Sequence, residues 1–293
     1  YYERDGKSWD STMGLQHHKL KIKTCRLLDP KLARYIQECY RTTGTYSKRG
    51  KKVVYKSEGT TRSGHNDTTI GNSIINAMIA WESMIFLGLT GSIIVMGDDL
   101  LVIVDGDFDK QAFLDREAEY GITPEGDKFT SIYDTSFISG IFVPTSEGLR
   151  FSPKPGRQLC RLWNTCKPPG KKRRNAFVRS IYMGSMIFFS GFPIMEEFLN
   201  LAIDFDLDGD WGSYKGPLGY KYDQGFYDET QKVERGIMLD WFLGRYNLSE
   251  ADVAECESWM QRLPRGPQFL SHPVLERIIE VDCAEVFERE KFV

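Results

Sequence analysis

Ile93-Ile94-Val95-Met96-Gly97-Asp98-Asp99-Leu100-Leu101-Val102-Ile103-Val104 is the stretch on which the fold turns. Two apolar, β-branched runs, 93–96 and 100–104, flank Gly97-Asp98-Asp99. Glycine supplies the unusual backbone angles of a tight turn and aspartate tolerates them, so the segment reads as a hairpin of two buried strands. Two adjacent carboxylates repel each other, and a cation is their natural compensation. Hard oxygen ligands favour Mg²⁺, with Mn²⁺ as a substitute. A hairpin of buried strands would hold both carboxylates on a rigid element, as a catalytic metal site requires. An acidic turn between strands is also commonplace, so the tripeptide alone does not decide the matter.

Upstream, the most apolar window runs from Ile74 to Met96 but contains Asn76, Glu82, Gly88 and Gly91. That composition fits a buried helix followed by a strand better than a membrane span. Asn66, Asp67 and Thr68 offer N-caps for a long helix reaching about Leu87. Within Ser63-Gly64-His65-Asn66-Asp67-Thr68-Thr69-Ile70-Gly71-Asn72, residues Thr68 and Asn72 continue to Asn76 at i, i+4 and i+8. They form one polar stripe, with Ile70, Ile74, Trp81 and Ile85 on the other side. Such a stripe can simply face water, but amides on a largely apolar helix suit a hydroxyl-bearing ligand. Further upstream, Leu27 to Arg41 has amphipathic spacing (Leu28, Leu32, Tyr35, Ile36, Cys39), and Thr43 to Lys52 is a Gly- and Lys-rich hairpin or loop. Asp5-Gly6-Lys7-Ser8-Trp9-Asp10 places two carboxylates at the end of a strand and the turn after it.

Downstream, Asp109 to Tyr120 reads as a charged helix closing at Gly121 and followed by Ile122 to Lys128. Phe137 to Val143 and Leu149 to Phe151 make a second hairpin around Ser146-Glu147-Gly148. Beyond a linker at Pro168-Pro169-Gly170 the pattern is helical. The order of elements predicts an α+β fold, an antiparallel sheet backed by helices over residues 1–167, then a mainly helical region over 168–293.

The formal charge is only −3, but its distribution is uneven. From Arg150 to Met195 there are ten basic residues, Lys154, Arg157, Arg161 and the run Lys171 to Arg174 among them, and no acid. That stretch is a candidate for binding a polyanion. After it, Asp204, Asp206, Asp208 and Asp210 alternate through a segment that a phosphate backbone should repel. The six cysteines form no CxxC pair and have no histidine at zinc spacing, which fits core thiols in a reducing compartment. No signal peptide or anchor is evident. The sequence enters a strand directly at Tyr1, and the expectation is a portion of a longer polypeptide.

Taken together and in order, D-x4-D (Asp5, Asp10), S-G-x3-T-x3-N (Ser63, Gly64, Thr68, Asn72) and G-D-D (Gly97, Asp98, Asp99) resemble motifs A, B and C of the RNA-dependent RNA polymerases of positive-strand RNA viruses. The motif B form is most similar to tombusvirus-like and nodavirus-like enzymes, although His65 stands where those relatives often carry an acid. The resemblance implies a right-hand polymerase palm over 1–167, with part of 40–60 shared with the fingers, and a thumb over 168–293. The fingers, with their basic motif F, would precede motif A.

On the same resemblance, Asp5, Asp98 and Asp99 are expected to hold two Mg²⁺ ions that activate a primer 3′-hydroxyl and steady the leaving pyrophosphate. Asp10, Asn72 and Ser63 would read the ribose 2′-hydroxyl. Lys128 falls where motif D places a lysine that protonates pyrophosphate. The 137–151 hairpin is similar to the primer-supporting motif E, and Lys154, Arg157 and Arg161 would hold nascent-strand phosphates. Implied partners are template and nascent RNA, nucleoside triphosphates, the fingers region and other viral replication proteins, at membrane-associated complexes in the host cytoplasm. Two rival readings are a reverse transcriptase, against which Asp10 and the Ser63 to Asn72 pattern stand, and a non-catalytic RNA-binding protein using the basic stretch.

Overall fold

The computed structural model describes residues 1–61, 67–162, 170, 174–202, 234–266 and 268–290. Ser63, Gly64, His65, Lys171 to Arg173 and the alternating aspartates 204–210 lie outside them. The chain forms two units, Tyr1–Ile138 and Ser139–Val293.

Unit 1 is built on a four-stranded antiparallel sheet. Its strands are β1 (Tyr2–Gly6), β4 (Gly91–Met96), β5 (Asp99–Val104) and β6 (Pro124–Lys128), in the spatial order β4-β5-β1-β6. Around it lie α1 (Trp9–Thr12), α2 (Leu15–Leu28), α3 (Pro30–Cys39), α4 (Thr68–Phe86) and α5 (Lys110–Ala118), with a separate ribbon of β2 (Arg41–Lys48) and β3 (Lys51–Glu58) and a short β7 (Ser136–Phe137). Side chains alternate across a strand. On β1 this turns Tyr2 and Arg4 inward, where both are buried, while Glu3 and Asp5 face the other way. Tyr2 packs with Leu100 and Val102 of β5, Ala80 and Met84 of α4, and Phe113 of α5. The helices therefore cover the Tyr2–Arg4 face; on the other, Leu101 is buried but Asp5, at the strand end, is exposed.

The long helix α4 sits the opposite way round from a simple amphipathic reading. Asn72, Asn76 and Ser83 are buried with Ile75, Ile79 and Met84, whereas Ile70, Trp81 and Ile85 are exposed. The polar stripe is the inward face, because it has hydrogen-bond partners in the site described below. The helix expected over Leu27 to Arg41 is α3, which starts only after a break at Asp29-Pro30 that separates it from α2. Asp29 Oδ1 accepts from the Lys31 N–H, and Pro30 occupies the first turn of α3, a common helix start.

Unit 2 contains the hairpin β8 (Gly140–Thr145) and β9 (Gly148–Pro153), followed by α6 (Pro155–Arg161), α7 (Arg174–Phe189), α8 (Met195–Ala202), α9 (Arg235–Tyr246), α10 (Glu250–Gln261) and α11 (Pro273–Glu290). Ile141 and Val143 of β8 are fully buried with Phe192, Leu199, Phe242, Tyr246, Met260 and Ile278. The second hairpin shares its core with the helices that follow it, so the division into compact units falls at 138/139. The buried Asp282 carboxylate ties α11 to the rest by accepting from Gly156 N, Arg245 and the Tyr246 hydroxyl.

Candidate active site

The site is assembled around the β4–β5 turn. Met96 pairs with Asp99, leaving Gly97-Asp98 as a two-residue turn. Gly97 has φ +66°, while Asp98 keeps an ordinary negative φ. A positive φ at the first central residue alone is the type II′ pattern, for which glycine is the natural residue. Antiparallel pairing of β1 with β5 ends at Arg4 opposite Leu100, so one further step along the same register puts Asp5 opposite Asp99. On its other side Asp5 faces Glu125 of β6. Glu125, Asp5 and Asp99 thus form a cross-strand row of carboxylates on the face away from Arg4. Like charges directly opposite destabilise a sheet.

The electrostatics bear this crowding out. Burial raises the Asp98 carboxyl above the usual range, and the charges of Asp5 and Asp10 raise it further. Asp99 is pushed up to about 6, first by burial and then by Asp98, Asp5 and Glu3. Asp98 and Asp99 thus feel the neighbouring acids, whereas Glu125 has an ion-pair partner in Lys7 at 3.1 Å. Hard, mutually repelling oxygens of this kind fit a divalent cation such as Mg²⁺. Among the described residues no three His, Cys, Asp or Glu side chains are gathered into a closed ligand group. Continuation of the β1–β5 register brings Asp5 and Asp99 side by side.

Beneath the turn lies a buried clamp that motif reading overlooks. Asn76 Nδ2 donates to the Gly97 and Asp98 carbonyls at 3.1 and 3.0 Å, and Gly97 N–H donates to Ser73 Oγ at 2.7 Å. Arg4, 1% exposed, donates to the Asp98 carbonyl at 3.3 Å and to Asn76 Oδ1, and makes a two-point ion pair with Glu117 of α5 at 2.9 and 3.1 Å. Its guanidinium also lies 5.2 Å from the Trp9 ring centre. One residue from each of β1 and α5 and two from α4 therefore hold the turn. The only sequence signal is the Thr68–Asn72–Asn76 stripe; Arg4, Ser73 and Glu117 belong to none of the three motifs.

Asp10 is positioned by its neighbour. Trp9 is buried with Met13, Ile75, Ile79 and Ile122. Its ring lies over Gly6, where an added Cβ would come within 2.3 Å of it. The short helix α1 that follows presents Asp10 to α4, and Asn72 Nδ2 donates to Asp10 Oδ1 at 2.8 Å. Two of the three residues expected to read a ribose hydroxyl are thus already in contact; the third, Ser63, lies outside the described residues. Thr68 opens α4.

Lys128 is placed differently from the expectation. It pairs with Tyr2 at the far end of β1, three residues from Asp5, or about 10 Å along the strand. Its ammonium is held by Asp107 and by the Phe108 carbonyl at 2.9 Å. The structure does not bring it to the carboxylates. In unit 2, Lys154 precedes α6, Arg157 lies within it and Arg161 is its exposed last residue. Of the wider basic stretch, Arg179 is buried, and Arg150 donates to the Phe188 carbonyl at 2.6 Å. Those two positions are therefore not a solvated cationic face. The described cysteines 25, 160, 256 and 283 are free thiols, and no helix among the described residues is long and apolar enough to cross a membrane.

No curated protein matches the chain. The family model described as viral RNA-dependent RNA polymerase matches residues 22–211, about two thirds of the sequence. The match contains the α4 polar stripe and the Gly97–Asp99 turn and begins beyond Asp5 and Asp10, whose place in the site rests on the β1–β5 register and the Asn72 contact. By that match the chain belongs to the viral RNA-dependent RNA polymerase family.

Proposed function

We propose that unit 1 is the catalytic palm of the polymerase, performing template-directed nucleotidyl transfer from a nucleoside triphosphate to an RNA 3′-hydroxyl with release of pyrophosphate. What supports this reading is the β1–β5 register, whose continuation past Arg4 and Leu100 sets Asp5 opposite Asp99, with Asp98 on the clamped turn beside them. Asp5, Asp98 and Asp99 would hold Mg²⁺, which when bound supplies activation of the 3′-hydroxyl and charge stabilisation of the leaving group. The chain's own contribution is positional. Asn76, Ser73 and Arg4 hold the turn, so the backbone that carries Asp98 and Asp99 would be in place before substrate arrives.

Asp10 and Asn72 would recognise the incoming ribose. Their mutual hydrogen bond keeps an acceptor and an amide paired until a 2′-hydroxyl replaces or joins it. A deoxynucleotide cannot complete that arrangement, and the unmet polar groups penalise it. We further assign unit 2 to the thumb, with Lys154, Arg157 and Arg161 against nascent-strand phosphates. We also carry forward a tombusvirus-like or nodavirus-like subtype and a place in membrane-associated replication complexes of the host cytoplasm, on the motif resemblance alone.

The test is primer extension in the polymerase carrying these residues, with Mg²⁺ and either ribonucleotides or deoxyribonucleotides. Asp98→Asn should abolish synthesis without unfolding the chain. Retained synthesis would reduce Gly97-Asp98 to a structural turn, preferential deoxyribonucleotide use would favour a reverse transcriptase, and binding without synthesis by the wild type would favour a non-catalytic RNA-binding role.

A further inference from the structure

The β2–β3 ribbon is the least packed element of unit 1. Every residue from 45 to 56 is exposed on both faces. A lone two-stranded ribbon is marginal in water, so its sequence should show what it meets. Its turn is Arg49-Gly50, with φ +49° and +75°, the two left-handed residues of a type I′ hairpin, closed by Lys48 opposite Lys51. Like charges directly opposite are unfavourable. The tip nonetheless gathers Lys48, Arg49, Lys51 and Lys52, with Lys56 further down. The ribbon's one acid, Glu58, is paired with Arg41 at 2.6 Å. Among the described residues the five remaining cations make no ion pair.

The register divides the rest into two faces. Thr43, Thr45 and Ser47 lie opposite Lys56, Val54 and Lys52, giving a face of three hydroxyls, two ammonium groups and one exposed valine. The other face carries Tyr55 opposite Gly44 and Tyr46 opposite Val53. Tyr55 and Tyr46 are 53% and 57% exposed. An added Cβ on Gly44 would come within 2.1 Å of the Tyr55 ring, so glycine is what lets the ring lie against the ribbon. Lysines alone could serve to keep a strand edge from aggregating. That role gives no reason to leave two tyrosines and a valine exposed beside them, whereas cations tracking a backbone with aromatics for the bases is the pattern of single-strand binding.

We propose that the β2–β3 ribbon is an RNA-binding element separate from the carboxylate site, gripping single-stranded RNA by its phosphates at Lys48, Arg49, Lys51 and Lys52 and stacking bases on Tyr46 and Tyr55. The proposal concerns binding and does not depend on whether Asp5, Asp98 and Asp99 hold metal.

The experiment measures anisotropy of a labelled single-stranded RNA of mixed sequence with the full chain, over a KCl series without nucleotides. Lys48, Arg49, Lys51 and Lys52 changed together to Gln should weaken binding and flatten the log-log salt dependence, by about 0.7 for each phosphate no longer neutralised and so by up to about 3. Tyr46→Ala with Tyr55→Ala should weaken binding roughly ten-fold at an unchanged slope, since stacking releases no counterions. Both variants change exposed side chains only and should melt like the wild type. Changing the three lysines to Arg should retain binding and slope, which guards against a folding defect. The proposal is overturned if either variant binds like wild type at every salt concentration, as it would if the ribbon instead docks on protein.

Discussion

Replacing Asp99 by Asn should make the metal-free protein more stable while destroying its proposed metal site. The Asp99 carboxyl is pushed from 3.8 to about 6, by burial first and then by Asp98, Asp5 and Glu3. Roughly two pKa units correspond to about 3 kcal/mol between the protonated and ionised forms. The side chain is only partly buried, and solvent screening discounts that figure by at least half, to about 1.5 kcal/mol. Between pH 4 and 6 the native state holds a proton that the unfolded chain has released, so stability falls as pH rises through this window. The penalty is complete above about pH 6. Asparagine mimics the protonated form and escapes it, and among the described residues no side-chain hydrogen bond of Asp99 opposes the exchange. Thermal melting with a chelator at pH 7.5 should therefore show the variant about 3–6 °C above wild type, a gap that closes below pH 4. Added Mg²⁺ should then raise the wild type more than the variant, because only an intact site gains stability from binding. A variant that melts at or below wild type at pH 7.5, or whose advantage persists at pH 4, would refute the crowded-carboxylate account.

Arg4→Met should cost about 3–5 kcal/mol in urea unfolding by leaving Glu117 buried without its partner, and adding Glu117→Gln should recover part of that loss. Equal losses in the single and double variants would show that the pair is not coupled. Asn72→Ala and Asp10→Ala, tested separately in the polymerase, should narrow the preference for ribonucleotides in competition assays while RNA binding stays within a few-fold. If both sugars lose rate in proportion, the 2′-hydroxyl role is wrong. Lys128→Ala should change the synthesis rate by less than about ten-fold, since its ammonium is engaged by Asp107 and Phe108, whereas a general acid contributes about 10²–10⁴-fold. A loss in that range would restore the catalytic role that its position opposite Tyr2 argues against.

The parts of this fold that are legible in sequence are those where one physical signal dominates. The β4–β5 hairpin combines two unbroken β-branched runs with a turn that only glycine fits well, and both strands and the turn stand where those signals place them. Helix α2 is hard to read because its inward face carries His18 and Lys21, 7% and 2% exposed, instead of an apolar period. Lys21 is buried in an ion pair with Asp67, and burial beside it pushes the His18 imidazole down to about 4. Such a face cannot be recognised until its partner is known. The orientation of α4 is hidden for the same reason: Asn72 and Asn76 turn inward because Asp10 and the Gly97–Asp99 carbonyls wait there, and periodicity cannot see a partner distant in sequence. Lys128 matches a motif position, but its strand register, fixed by pairing with Tyr2, carries it away from Asp5.

The same strand alternation would leave the carboxylates available to the proposed cation. Arg4 and Asp5 are adjacent, so the sheet sends them to opposite faces. Had the guanidinium lain on the Asp5 face, it would have satisfied Asp5 and Asp99 and displaced the metal they are proposed to hold. On the covered face it meets Glu117, whose charge offsets its own, and it reaches the turn through a hydrogen bond to the Asp98 carbonyl. Its lowering effect on Asp98 and Asp99 is correspondingly the smallest of the named influences on either group. The clamp therefore supplies rigidity without neutralisation. Asn76 works in the same way: as a neutral amide it ties down three successive carbonyls, Gly97, Asp98 and Asp99, without adding a charge. A lysine in its place could make similar hydrogen bonds, but it would bring a buried cation beneath the carboxylates and compete with the metal for their field. An Asn at 76 and a paired Arg at 4 are what the proposed metal site would need, the turn held and its acids left without a counter-cation.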